Sequence, residues 1–298
     1  VNKILNDIRI SEVVSCVKMP PIILKGEDPL ITIGFLLSIS KLSYALVKEV
    51  SGLIGEVTAL VEDADGKLIG EVTAADLFEA FHPDYREVWK KLYMIKLKDV
   101  ARKIQFVSPE SPLRTYYYKL KDYKYKDVVV ISNEKPISFI TPYSLLKYFF
   151  LKNKIPDLRI DQIQSKLISA KSNATVKEIM YLMMEKWIRK VMVKGKIVDD
   201  KSLVDKIFNI NYLSMLKNEP DKLLNMPVKS IEGLLKDPET YSKNDSIYEI
   251  SKKVLNSETS CAISEDYKYI ITPYDIAIKP FINPTEEIVE KKLSLEVR

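Results

Sequence analysis

A strand-like run ending in Thr-x-x-Asp and followed by an apolar, helix-like run recurs along this 298-residue chain, and it constrains the fold more than any other feature. The first instance is Gly70-Glu71-Val72-Thr73-Ala74-Ala75-Asp76, and the last is Ile271-Thr272-Pro273-Tyr274-Asp275. Between them, Ile140-Thr141-Pro142-Tyr143-Ser144 keeps Thr and replaces Asp by Ser. A segment that repeats with its flanking pattern specifies one supersecondary unit used several times, each unit burying its apolar face on a neighbour.

Reading backwards from each anchor supplies the rest of the unit. In the first copy, residues 21–24 form a short apolar strand. Asp28-Pro29-Leu30 opens a helix, with Asp as N-cap and Pro in the first turn. Residues 50–58 form an extra excursion, and residues 59–62 a second strand. Asp65-Gly66 then turns the chain into a third strand at 67–72, a strong hairpin signal, and a helix follows over 76–81. The second copy runs from strand 104–107 through Ser111-Pro112-Leu113, a Tyr-rich helix and strand 127–131, with Glu134-Lys135-Pro136 as the turn. The third has strands at 167–169 and 191–193, a helix from Ala174-Thr175-Val176 and a turn at Lys194-Gly195. Its anchor is degenerate, with Asp199 where Thr belongs and Ser202 where Asp belongs. The fourth begins near 240 and turns at Glu265-Asp266 before Thr272. The expected fold class is α/β (α+β), four tandem β-α-β-β-α motifs.

Asn153-Lys154-Ile155-Pro156-Asp157 is short, polar and broken by Pro, which marks a domain boundary. The expected division is 1–152, with motifs at about 10–82 and 97–152, and 153–298, with motifs at about 157–210 and 228–282 plus a C-terminal tail.

The same residues carry two chemistries. Thr as N-cap with Pro at the first helical position explains the anchor by capping alone, at about 1 kcal/mol per site. The functional alternative is that free N–H groups at a helix start attract phosphate while the carboxylate accepts hydrogen bonds from vicinal ribose hydroxyls. Other chemistry has few residues to use. There is one histidine, His82, and Cys16 and Cys261 lie far apart, so neither zinc spacing nor a Cys–His pair can be assembled. Met180, Met183 and Met184 read as core filling, and neither a Walker loop nor a catalytic dyad is present, so no enzymatic activity is expected. The formal charge of +5 permits nucleic acid without requiring it, and the Tyr–Lys interleaving over 116–126 is where single strands would stack. No apolar run reaches the roughly 18 residues of a membrane span, and residues 1–4 do not open a signal peptide. A cytoplasmic protein is expected.

The four copies and the Gly-x-x-Thr-x-x-Asp pattern of Gly70, Thr73 and Asp76 resemble cystathionine-beta-synthase (CBS) domain proteins, over nearly the whole chain. Thr272 and Asp275 match apart from Tyr269 in the Gly position, whereas Ser144, and Asp199 with Ser202, depart from the pattern. The resemblance implies that consecutive motifs pair into two pseudo-twofold Bateman modules whose clefts take AMP, ADP, ATP or S-adenosylmethionine, one intact anchor per pair. It implies base contacts from Ile104 and Phe106 at the Asp76 site and from Ile168 and Ala170 at the Asp275 site. Lys126, Arg189 and Lys190 then stand where phosphate enters. A regulatory adenosyl-ligand sensor, homodimeric and read by a regulated partner protein, is the leading expectation. A nucleic-acid-binding or assembly protein using the scaffold structurally is the alternative, and an empty dimerisation scaffold is a third.

Overall fold

The computed structural model describes residues 2–36, 38, 59–81, 87–120 and 127–282. The excursion at 50–58, His82, Lys126 and the tail beyond 282 lie outside the described residues.

The four copies are present, in a mixed α/β architecture. Copy 1 comprises β1 (Ile22–Lys25), helical residues 31–36, β2 (Ala59–Glu62), β3 (Leu68–Val72) and the closing helix Ala74–Ala80. Copy 2 comprises β4 (Phe106–Val107), helix Arg114–Leu120, β5 (Val128–Ser132), β6 (Lys135–Ile140) and closing helix Pro142–Leu151. After β7 (Ser165–Lys166), copy 3 runs through β8 (Ser169–Ala170), helix Val176–Lys186, β9 (Lys190–Val193), β10 (Lys196–Asp199) and closing helix Asp200–Ile207. Copy 4 has β11 (Glu239–Tyr241), helix Ile247–Asn256, β12 (Ala262–Ser264), β13 (Tyr269–Ile271) and closing helix Pro273–Ala277. In every copy the first strand pairs parallel with the second across the intervening helix, and the second pairs antiparallel with the third.

Turn chemistry explains the tight hairpins. Lys194 and Gly195 take φ of 52° and 77°, the pair of positive values that a two-residue turn needs to match strand twist. The copy 2 turn falls on Asn133 and Glu134, at φ 49° and 62°, and not on Glu134-Lys135-Pro136. Asn tolerates that conformation. Pro136 instead sits inside β6 opposite Ile131, where the register shifts, the irregular position at which a missing N–H is tolerated.

The compact units depart from the division at 152/153. One unit consists of the described parts of Pro21–Ile104 and Ile168–Asp237, holding copies 1 and 3. The other consists of the described parts of Val1–Pro20, Gln105–Leu167 and Pro238–Arg298, holding copies 2 and 4. The physical reason is the closing helices. Ala74–Ala80 packs on Val176–Lys186 and Asp200–Ile207, so Leu77, Phe78, Met180, Met183, Val204 and Ile207 share one core. Gly34 meets Phe208 so closely there that an added Cβ would lie 2.2 Å from the ring. In the other unit Pro142–Leu151 packs on Ile247–Asn256 and Pro273–Ala277, joining Leu145, Phe149, Ile250, Val254 and Ile276. Tyr116 and Tyr117 of the Tyr-rich helix are buried there, and the Tyr117 hydroxyl donates to the Ala277 carbonyl at 2.7 Å. Pro156 marks a local break in the chain, whereas apolar helix faces decide what forms a unit.

The residues leading into each copy lie on the last strand of a different copy in the same unit. Arg102 bridges Glu71 beside β3, and Lys236 bridges Ile197 in β10. In the other unit β7 pairs with β13, Ser165 facing Ile270, while the Phe139 N–H in β6 donates to the Met19 carbonyl at 3.0 Å. All four meet the strand two residues before the anchor position held by Thr73, Thr141, Asp199 or Thr272. Lead-ins are thereby exchanged between copies 1 and 2 and between copies 3 and 4. No helix among the described residues is long and apolar enough to cross a membrane.

Candidate functional site

The anchors of copies 1, 2 and 3 cap their closing helices through a side-chain oxygen, whereas at copy 4 Thr272 holds the N-cap position without such a bond and Asp275 accepts from its N–H. In copy 1 the Thr73 hydroxyl accepts from the Ala75 N–H at 3.3 Å, and the Asp76 carboxylate accepts from the Thr73 N–H at 2.6 Å. The Thr272 N–H and hydroxyl donate to Asp275 at 2.8 and 2.7 Å. In copy 2 Ser144 stands in for the carboxylate, its Oγ accepting from the Thr141 N–H at 2.9 Å. Copy 3 inverts the pair. Asp199 is the N-cap, accepting from the Ser202 N–H at 2.7 Å and the Ser202 hydroxyl at 2.9 Å. Hydroxyl and carboxylate therefore persist there in exchanged positions, and side-chain capping by the N-cap residue holds at copies 1, 2 and 3.

At copies 1 and 4 the buried carboxylate is also engaged from the lead-in. Arg102 donates to Thr73 Oγ1 at 2.8 Å and to Asp76 Oδ2 at 3.0 Å, forming an ion pair with side chains 18% and 4% exposed. The equivalent lead-in residue at copy 4 is Ser165, whose hydroxyl donates to Asp275 Oδ1 at 2.6 Å. Lys279 Nζ lies 3.9 Å from that carboxylate but donates to the Ile163 carbonyl at 2.9 Å and the Gln164 carbonyl at 3.2 Å. At copy 2, with no carboxylate to satisfy, the lead-in presents Met19, whose sulfur accepts from Thr141 at 3.6 Å. At these three copies the lead-in residue matches its anchor: cation or hydroxyl for Asp, thioether for Ser.

Burial pushes both carboxyls up from their ordinary values. At Asp76 the Arg102 charge and the Thr73 hydrogen bonds partly oppose this, and at Asp275 Ser165 and Thr272 do. A raised folded-state carboxyl holds its proton where the unfolded chain has lost it. Its stabilising contribution is complete below the unfolded value of 3.8 and is lost as pH rises through the folded value. Asp275→Asn removes that dependence. Urea unfolding of both proteins between about pH 4 and about pH 7 is expected to show the variant gaining on the wild type as pH rises; a pH-independent difference contradicts this assignment.

The closing helices of copies 1 and 4 have seven and five residues, too few to build the macrodipole of a long helix. Any grip on phosphate falls to side chains. Arg189 is half-buried and donates to Asp200 at 2.6 Å, while Lys190 lies in β9 opposite Asp199. Ile104 shares a unit with Asp76, and Phe106 belongs to the other, 56% exposed with the Lys119 ammonium 5.7 Å from its ring centre. Ile168 and Ala170 are in the unit of copies 1 and 3, and Asp275 is in the other. Gly70 has a steric role, since a Cβ there would lie 2.7 Å from both Ala101 Cβ and the Arg102 carbonyl. Sequence reading missed Arg102 and Ser165; the only local signal for either was Gly70, which announces a close approach without naming what approaches. Among the described residues no group of His, Cys, Asp and Glu is placed to hold a metal ion. Cys261 is buried, and Cys16 is half-exposed.

No family model matches the chain, and no curated protein matches it. Among solved structures it is similar to a Methanocaldococcus jannaschii protein put forward as an archaeal homolog of g-AMPK, at 12% identity and a TM-score of 0.71, covering 91% of this chain and 99% of that one. An uncharacterized conserved protein from Pyrococcus horikoshii is 17% identical, with a TM-score of 0.48 over 75% of this chain and 90% of its own. A CBS-domain containing protein from Agrobacterium tumefaciens is 14% identical, with a TM-score of 0.35 over 47% of this chain and 92% of its own. The first of these shares the fold along almost the full length of both chains.

Proposed function

We propose, from the tandem CBS-domain fold that this chain has, that it is a non-catalytic regulatory protein binding an adenosyl ligand (AMP, ADP, ATP or S-adenosylmethionine) at the anchors of copies 1 and 4. The observation that supports this reading is the survival, in those two copies alone, of a threonine hydroxyl beside a carboxylate at the start of the closing helix. A carboxylate with lone pairs in reach is the group that accepts from both hydroxyls of a ribose, and Thr73 and Thr272 remain half-exposed where a sugar would approach. Thr141 and Ser144 are both buried and offer no carboxylate, so copy 2 has only the cap. On this reading Thr73 and Asp76 hold one ribose, with Ile104 as apolar surface in the same unit, and Thr272 and Asp275 hold another. Ligand binding biases the conformation that a partner, or a second copy of the chain, recognises.

A thermal-denaturation series with AMP, ADP, ATP and S-adenosylmethionine tests it. At about 100 times its Kd a ligand bound only by the folded state adds about 2.7 kcal/mol, so at least one of the four is expected to raise the melting temperature. A melting temperature unmoved by all four overturns the proposal. A salt-sensitive shift with single-stranded nucleic acid in the same samples would then favour a nucleic-acid role.

A further inference from the structure

Asp76 and Asp275 occupy equivalent positions, yet different lead-in residues cover them. At copy 1, Arg102 is bonded to both groups a ribose diol would use, Thr73 Oγ1 and Asp76 Oδ2. At copy 4, the uncharged Ser165 donates to Asp275 Oδ1, and the nearby cation, Lys279, stands 3.9 Å from that carboxylate with its ammonium held by the Ile163 and Gln164 carbonyls and by Ser165 Oγ. A diol arriving at Asp76 must displace the guanidinium from a carboxylate that is 4% exposed. Displacing one member of a desolvated ion pair without giving it a new counter-charge is strongly unfavourable. A ligand bearing an anion on the same sugar removes that cost, because the freed guanidinium can form charge-assisted, bidentate hydrogen bonds to it. An uncharged nucleoside offers nothing in return.

We propose that Arg102 is a specificity-determining residue that restricts the copy 1 site to phosphorylated adenosyl ligands, whereas Ser165 leaves the copy 4 site open to ligands with or without phosphate. This rests on the functional reading above. Arg102 acts as a gate toward nucleosides and as a phosphate ligand toward nucleotides, and the same ion pair performs both roles. A purely structural ion pair would keep all ligands out of copy 1.

The test uses the full chain with Asp275→Ala, leaving copy 1 as the intact anchor, titrated calorimetrically with AMP and with adenosine. AMP is expected to bind at least about 10-fold more tightly than adenosine, a charge-assisted hydrogen bond contributing about 1.5–3 kcal/mol. Adding Arg102→Met is expected to bring the two affinities within about 3-fold, and adding Arg102→Lys to retain the preference for AMP. Equal affinities in the Asp275→Ala chain overturn the proposal even if the Arg102→Met protein does not fold, and so does a preference that survives Arg102→Met. Binding to the wild type but not to Asp275→Ala also overturns it, because copy 1 is then closed. Failure of the wild type to bind either ligand, or any of the four in the thermal series, removes the underlying functional reading instead.

Discussion

Replacing Asp76 by alanine is expected to lower the unfolding free energy by about 3 kcal/mol, in the range found when one partner of a buried ion pair is removed. The loss exceeds that of a helix cap, about 1 kcal/mol, because Arg102 keeps its charge in a site that exposes only 18% of its side chain. The Thr73 N–H also loses the carboxylate it donates to at 2.6 Å. Combining Asp76→Ala with Arg102→Met is expected to recover more than half of the deficit, since an apolar pair of similar volume costs no desolvated charge. Urea unfolding of the wild type, both single variants and the double variant measures the coupling as a double-mutant cycle. Additive effects of the two substitutions would show that the pair is not energetically linked. A ligand-binding comparison that uses Asp76→Ala alone therefore mixes loss of fold with loss of site.

Gly70→Ala carries the second large effect, about 2–3 kcal/mol, the cost of forcing atoms into a packed site. The added methyl meets backbone, the Arg102 carbonyl at 2.7 Å, as well as Ala101 Cβ, so no side-chain rotation relieves it. The lead-in must move off β3, breaking the reciprocal hydrogen bonds between Glu71 and Arg102, both 2.9 Å. Arg102 moves with it. Unfolding measurements on Gly70→Ala should give the destabilisation, and an Asp76→Ala substitution added to it should cost less than in the wild-type background, the ion pair being already disturbed. A full, additive cost would show that the lead-in has not shifted.

The local part of the fold was legible in the sequence. Alternating strands, the Asp65-Gly66 and Lys194-Gly195 turns and the Thr-Pro helix starts depend on neighbouring residues, and the structure has them. The turn at Asn133-Glu134 was read one residue late because Pro136 is the stronger local punctuation, yet φ near 50–60° at two successive residues is what closes that hairpin. The degenerate copy 3 anchor is better described as an exchange: Asp199 and Ser202 make the same cap with roles swapped.

What the sequence did not disclose is non-local. Ser165 meets Asp275 across 110 positions and Met19 meets Ser138 across 119, and strand addition at an edge leaves no periodic trace in either segment. The grouping of copies 1 with 3 and 2 with 4 was hidden for a related reason. The apolar faces of Ala74–Ala80 and Pro142–Leu151 carry the same kinds of side chain, and only their packing partners differ. Burial of the two carboxylates could not be read either, because Asp at the third residue of a helix is ordinarily a solvated cap.

The claim that copies 1 and 4 are the ligand-binding copies is tested most directly by calorimetric stoichiometry with AMP, comparing the wild type with Asp275→Ala. The expected result is two AMP per wild-type chain and one per variant chain, with cooperative melting retained in both. Indistinguishable isotherms for the two proteins would contradict it.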